Sequence, residues 1–180
     1  MKLRNKLNVL AILAFTVMTT MAIAQETATK NYDQKFKLGF GANVGYAVNN
    51  PYKLALGADA RLQYDLSKRY SVTLTTGFTN FFITGDDNDL GIIPAKLGFK
   101  AFIWEDQFYI MGEGGAAFSV TNSYNKNSYL LSPSFGYASK YIDVSLRYEH
   151  YLDYPVLNSN GTTSNGLGQV ALRVAYGFEL

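Results

Sequence analysis

The chain has 180 residues, 16 of them basic and 14 acidic, with a single histidine and no cysteine. That is enough for one domain. The missing cysteine excludes disulfides and a cysteine-borne lipid anchor, and no cluster of basic residues suggests a nucleic-acid surface.

Lys2, Arg4 and Lys6 precede an apolar stretch from Leu7 to about Val17, and Ala22-Ile23-Ala24 then gives the small-x-small pattern of a signal peptidase site. A spanning helix needs about 20 apolar residues, and Thr16, Thr19 and Thr20 interrupt this stretch. Residues 1–24 therefore read as a cleaved secretory signal, 25–35 as a short periplasmic segment and 36–180 as the folded domain. Without Lys2, Arg4 and Lys6 the balance is 13 basic to 14 acidic, a formal charge of −1. No later segment is apolar for 18 residues, so helical spans are not expected.

From residue 36 onward the pattern is a two-residue alternation. Phe36, Leu38, Phe40, Ala42, Val44, Tyr46 and Val48 share one face, against Lys37, Gly39, Gly41, Asn43, Gly45 and Ala47 on the other. Strand side chains point alternately to opposite faces, so such runs are strands. The runs are Phe36–Val48, Tyr52–Leu66, Tyr70–Phe82, Ile92–Ile103, Phe108–Val120, Tyr129–Ala138, Tyr141–Tyr151 and Gly168–Leu180. They exceed the usual strand of about 5 to 6 residues and match the roughly 9 to 11 that cross a bilayer at a tilt. Ser67–Arg69, Trp104–Gln107 and Ser139–Lys140 read as tight turns. Thr84–Gly91, Thr121–Ser128 and Leu152–Leu167 read as longer polar loops, and only Asn49–Pro51 is short on that side. Eight antiparallel strands with short turns at one end and loops at the other predict an all-β, up-and-down transmembrane β-barrel with both termini on the periplasmic side. In lipid such a sheet must close, because open edges leave backbone groups unsatisfied.

A soluble barrel such as a lipocalin would put the apolar face inward. The polar face, however, is lined with small residues (Gly39, Gly41, Gly45, Gly57, Gly77, Gly98, Gly115), as suits an eight-stranded interior barely wide enough for side chains. The apolar face carries too much volume for that space. Aromatics also gather at strand ends: Tyr64, Tyr70, Trp104, Phe108, Tyr137 and Tyr141 near the turns, Tyr46, Tyr52, Phe82 and Tyr148 toward the loops. Such girdles mark the headgroup level.

With Ile93-Pro94-Ala95-Lys96-Leu97-Gly98, Tyr109-Ile110-Met111-Gly112-Glu113-Gly114-Gly115-Ala116 and a final strand ending Ala175-Tyr176-Gly177-Phe178-Glu179-Leu180, the chain resembles the small eight-stranded outer-membrane barrels of the porin family, typified by the OmpA transmembrane domain and OmpX. The resemblance implies a monomeric protein of the Gram-negative cell envelope. Its implied partners are outer-membrane lipid and lipopolysaccharide, with periplasmic chaperones and the barrel-insertion machinery during biogenesis. Members usually end on an aromatic residue; here Leu180 is last and Phe178 stands two positions before it on the same face. Family members include structural barrels, adhesins and a few enzymes, so architecture alone does not select an activity.

Parity places Lys37, Lys53, Arg61, Lys96, Lys100, Arg147 and Arg173 in the lumen, with Asp59, Asp65, Glu113, Asp143, Glu149 and Glu179. Desolvated charges of both signs should pair. A two-residue turn at Glu105-Asp106 would set Glu113 opposite Gly98 with Lys96 and Lys100 flanking it, and one at Ser139-Lys140 would set Arg147 opposite Ser132. An ion-conducting path is the competing reading of the same charges.

His150 invites comparison with barrel enzymes that deacylate lipid A. Two residues on, where those enzymes place serine, stands Leu152, and a histidine lacking that partner lacks its nucleophile. Asp86-Asp87-Asn88-Asp89 departs from a calcium loop, with Leu90 and Leu97 at ligand positions. Asn160-Gly161-Thr162 is a short glycosylation match. No enzyme activity, cofactor or metal is expected. Surface recognition would fall to the longest loop, through Tyr154, Pro155, Asn158 and Asn160.

The signal, girdles and final strand predict recovery of the protein in the outer-membrane fraction, migrating differently on detergent gels before and after boiling. Its intact mass should correspond to a chain starting at Gln25. A soluble periplasmic product would reverse the assignment of faces.

Overall fold

A computed structural model describes residues 34–83, 89–104, 107–121, 126–157 and 161–180. The proposed signal peptide, the segment Asp86–Asn88 and the recognition candidates Asn158 and Asn160 lie outside the described residues. Eight strands follow in order: β1 Phe36–Ala47, β2 Tyr52–Asp65, β3 Tyr70–Ile83, β4 Leu90–Trp104, β5 Phe108–Ser119, β6 Ser128–Ala138, β7 Ile142–Leu157 and β8 Thr163–Glu179. Each pairs antiparallel with its neighbour, and β8 returns to β1 through pairs such as Gly41↔Ala175 and Asn43↔Arg173, closing the barrel. No described helix is long and apolar enough to span a membrane.

Period-2 patterning decides the faces. Leu97 is 62% exposed and Leu131 56%, whereas Thr75 and Ser132 are fully buried. Outward aromatics meet near the turn end: Phe36 lies 4.6 Å from Tyr64, Phe108 lies 5.2 Å from Tyr137, and Tyr141 stacks on Tyr176 at 5.9 Å. The β2–β3 turn is closed by Ser67, whose Oγ accepts from Tyr70 N at 3.1 Å.

The structure departs from the sequence expectation in four places. Leu152–Leu167 is mostly strand: β7 runs on to Leu157 and β8 begins at Thr163, joined by Pro155↔Asn165, Val156↔Ser164 and Leu157↔Thr163. The segment's Ser, Thr and Asn content reads as loop, but a bulge between Tyr151 and Pro155 resets the alternation and hides it. A second irregularity, between Tyr52 and Ala55, puts both those residues inward and leaves Lys53 exposed. Tyr52 is therefore no girdle residue and Lys53 no lumen charge.

At the β6–β7 turn, Ala138 pairs with Asp143, so Arg147 stands opposite Ser134 rather than Ser132. Ser139 N donates to Ile142 O at 2.7 Å there, making the turn two residues longer than expected. The change is even, so the β7 side chains up to Tyr151 keep their faces. Finally, Glu113 does oppose Gly98, but Trp104 pairs with Phe108 rather than Gln107, a slip between Phe102 and Trp104 taking up the difference.

The interior has two tiers. Toward the loops it is apolar, built from Tyr52, Phe81, Leu90, Ile92, Tyr151, Tyr154 and their neighbours. From mid-barrel to the turns it is charged.

This assignment of faces predicts that Leu97→Arg, at mid-strand on the outer wall, destabilises the barrel in lipid vesicles by about 2–4 kcal/mol. Denaturant titration by tryptophan fluorescence measures it. An unchanged midpoint would mean that Leu97 does not meet hydrocarbon.

Candidate functional site

The lumen charges form one chain of contacts in which signs alternate. Arg61 on β2 donates through Nη2 to Glu113 on β5 at 3.4 Å. Lys96 Nζ on β4 bridges Glu113 at 3.6 Å and Glu149 of β7 at 2.7 Å. Arg147 reaches Glu149 and Asp59 at 3.4 Å each. Arg173 on β8 grips Asp59 on β2, its Nε donating to Oδ1 at 2.8 Å and Nη2 to the same oxygen at 2.5 Å, and touches Asp143 at 3.5 Å. Asp143 ends the chain on Lys100 at 2.8 Å. Lys37 and Asp65 pair separately toward the turn end, at 2.9 Å.

Neutral groups complete the carboxylates' coordination. Thr75 Oγ1 donates to Glu113 at 2.7 Å, Tyr109 OH to Asp143 at 2.7 Å and Tyr151 OH to Glu149 at 2.9 Å. Gln169 Nε2 also donates to Glu149. Asp65 accepts from Gln63 at 2.6 Å and from Ser71 at 2.7 Å. A desolvated charge held by several donors is tolerated where a bare one is not.

Small residues make the room. A Cβ on Gly98 would sit 2.7 Å from Glu113 Cγ, and one on Gly41 would sit 2.9 Å from the Arg173 guanidinium carbon. Gly41 lies between Asp59 of β2 and Ala175 of β8 in the ladder, so Arg173 crosses over it to reach its partner.

The candidates Lys37, Arg61, Lys96, Lys100, Glu113, Asp143, Arg147, Glu149 and Arg173 thus all line the interior. Their partners differ from the expected ones in one respect: Lys100 leaves Glu113 to Lys96 and joins Asp143, its ammonium 3.8 Å from the centre of the Tyr109 ring. Tyr109, Tyr151, Gln169 and Thr75 share the parity of the charges; that parity was the available signal for them. Glu179 is a rim residue paired with Lys35, about half exposed.

Tyr154 and Pro155 are not on a surface loop. Tyr154 is fully buried and its hydroxyl donates to Ala117 O of β5 at 3.1 Å. Past Tyr151, β7 leaves the paired part of β6, and Leu157 N donates instead to Asn50 O of the β1–β2 connection at 2.7 Å. Asp153 N is fixed by Ser128 Oγ at 2.9 Å. The extended β7 therefore leans across the barrel mouth, with Tyr154 packed against Tyr151 at 5.7 Å and Phe81 against Tyr151 at 5.7 Å.

His150 is partly exposed, pairs with Leu131 on β6 and stacks on Tyr148 at 6.3 Å. Its Nδ1 has no hydrogen-bond partner among the described residues. Asp89 caps the end of β3, accepting from Asn80 at 3.0 Å and Ile83 N at 3.2 Å. No group of three potential metal ligands occurs among the described residues.

No family model and no curated protein matches the chain. Solved structures do. The Ail attachment invasion locus protein of Yersinia pestis superposes with a TM-score of 0.54 at 15% identity, over 82% of this chain and 100% of that one. The N-terminal β-barrel domain of Pseudomonas aeruginosa OprF gives 0.55 at 10% identity, over 81% of this chain and 100% of that one. This chain has the fold of the small outer-membrane β-barrels. At such identities the likeness shows the barrel's architecture alone.

Removing one member of the chain of charges leaves its neighbours uncompensated. Glu113→Ala should cost about 3–5 kcal/mol, the range for breaking a dry buried pair, since its side chain is fully buried. Denaturant unfolding of the refolded barrel checks this. A loss below about 1 kcal/mol would show that Arg61 and Lys96 are solvated.

Proposed function

We propose that the protein is an integral outer-membrane barrel, monomeric and non-enzymatic, whose role is structural or lies in recognition at its loop-end surface, and not in passage through the lumen. The observation that carries this reading is the filling of the interior. Alternating charges hold the middle, and the aromatic tier of Tyr52, Phe81, Tyr151 and Tyr154 closes the loop end beneath the β7 extension. An ion crossing the barrel would have to break paired, desolvated charges and then traverse a dry apolar layer, both costly steps. His150 supports the non-enzymatic reading, since the side chains beside it are Tyr148 and Leu131. Lipid and lipopolysaccharide are the expected neighbours of the apolar outer wall, and insertion machinery that of the final strand.

Planar-bilayer recording of the refolded protein tests the reading. The expected trace shows no steady conductance at moderate voltage. Stepwise, long-lived openings would replace the closed-barrel reading with that of a narrow channel.

A further inference from the structure

The described residues leave a space at the end of the lumen opposite the aromatic tier. A cavity of ≈ 350 Å³ lies there, lined by the cations Lys37, Arg61, Lys100, Lys140 and Arg173 with Asp143 as the one carboxylate among the described residues. Its volume is within the range of small-molecule sites, roughly 300–1,000 Å³.

The alternating chain of charges explains why this space is electropositive. It begins on Arg61 and ends on Lys100, so it holds five cations to four carboxylates. The separate Lys37–Asp65 pair is neutral. Among the described residues this chain therefore carries one positive charge more than it neutralises, and both its terminal cations lie in the wall of the same cavity. At Arg61 the surplus is visible atom by atom. Nε donates to Thr75 at 3.0 Å and Nη2 to Glu113 at 3.4 Å, while Nη1 has no partner among the described residues although Arg61 is only 4% exposed. A buried guanidinium N–H left without an acceptor is costly; that nitrogen has no surface open to the cavity, so an anion in the cavity offsets the charge of the group at short range and does not bond to this N–H. Lys37, about one-third exposed, and Lys140 add two further donors at the same space.

We propose that this cavity is a binding site for a small oxyanion of the phosphate or sulfate class. The cations Arg61, Lys100 and Arg173 surround its deep end and Lys37 and Lys140 its mouth. Several donors arriving from different strands suit a tetrahedral ion with an acceptor at each corner better than they suit a spherical halide. The strands wall the cavity off from lipid, so the anion comes from solution on the turn side. The aromatic tier at the loop end makes this a site of residence and not a way through.

The test uses the full barrel refolded in an uncharged detergent, titrated calorimetrically with sodium phosphate and sodium sulfate against sodium chloride at matched ionic strength. Saturable binding of one oxyanion per barrel, absent with chloride, is expected, together with a rise in the denaturation midpoint as occupancy increases. Lys140→Gln, a change at the rim that breaks none of the carboxylate pairs described above, should weaken binding about ten-fold, the loss that accompanies one charged hydrogen bond. Arg61→Gln should abolish binding; if that variant does not refold, Lys140→Gln and Lys37→Gln decide. Heats indistinguishable from those with chloride would overturn the proposal. So would oxyanion binding of unchanged strength in Lys140→Gln and Lys37→Gln, which would place the ion elsewhere. Neither readout depends on conductance, so the closed-barrel reading stands or falls separately.

Discussion

In a narrow barrel a charge left unmatched in the lumen is costly. Eight strands enclose a space hardly wider than the side chains that fill it, and ions brought into that space lose water that only other side chains can replace. The remaining interior features follow from this constraint. Glycines stand at positions such as Gly41 and Gly98, beside the bulkiest charged groups, because a methyl group there would collide with Arg173 or Glu113. Each central cation touches two carboxylates, so Lys96, Arg147 and Arg173 tie β4, β7 and β8 to partners on other strands. Buried pairs of this kind add little net stability against a well-packed apolar alternative. What they contribute here is a single arrangement, because a slipped strand would strand charges on every side.

The loop end answers the same problem differently. There the interior is aromatic and apolar, and Tyr151 joins the two tiers by donating to Glu149 and accepting from Gln169. The β7 extension finishes the seal by exchanging its β6 neighbour for Asn50. A recognition surface at this end must accommodate that inward lean, since Tyr154, the aromatic residue that would otherwise advertise itself to a partner, is spent on the core.

Most of the architecture was legible because alternation is a strong signal over long strands. Parity alone put Arg61, Lys96, Glu113 and Arg173 on the inner face, and it survived turns of unexpected length, since a two-residue change leaves faces intact. It failed where the backbone breaks step: bulges at Tyr52–Ala55 and Tyr151–Pro155 turned Lys53 outward and disguised a hairpin as a loop. Pairing across the lumen was beyond sequence reasoning for another reason. Neighbouring registers come from turns, but whether Lys100 meets Glu113 or Asp143 depends on how far each side chain reaches across the lumen. The apolar tier was missed because Tyr52, Phe81 and Tyr154 have the composition of an outer wall: Phe81 keeps the inward parity of Thr75 and Thr79, whereas bulges turn Tyr52 and Tyr154 in.

The grip of Arg173 on Asp59 has one more consequence. The two residues are 114 positions apart in sequence, on the last strand and the second, and the contact passes over Gly41 of the first. It therefore spans the seam at which the sheet becomes a cylinder. While the final strand is undocked the pair has no geometry in which to exist, and once formed it resists separation of the seam from inside, where detergent and lipid do not reach. Closure of this molecule is thus latched by a guanidinium as well as laced by its backbone.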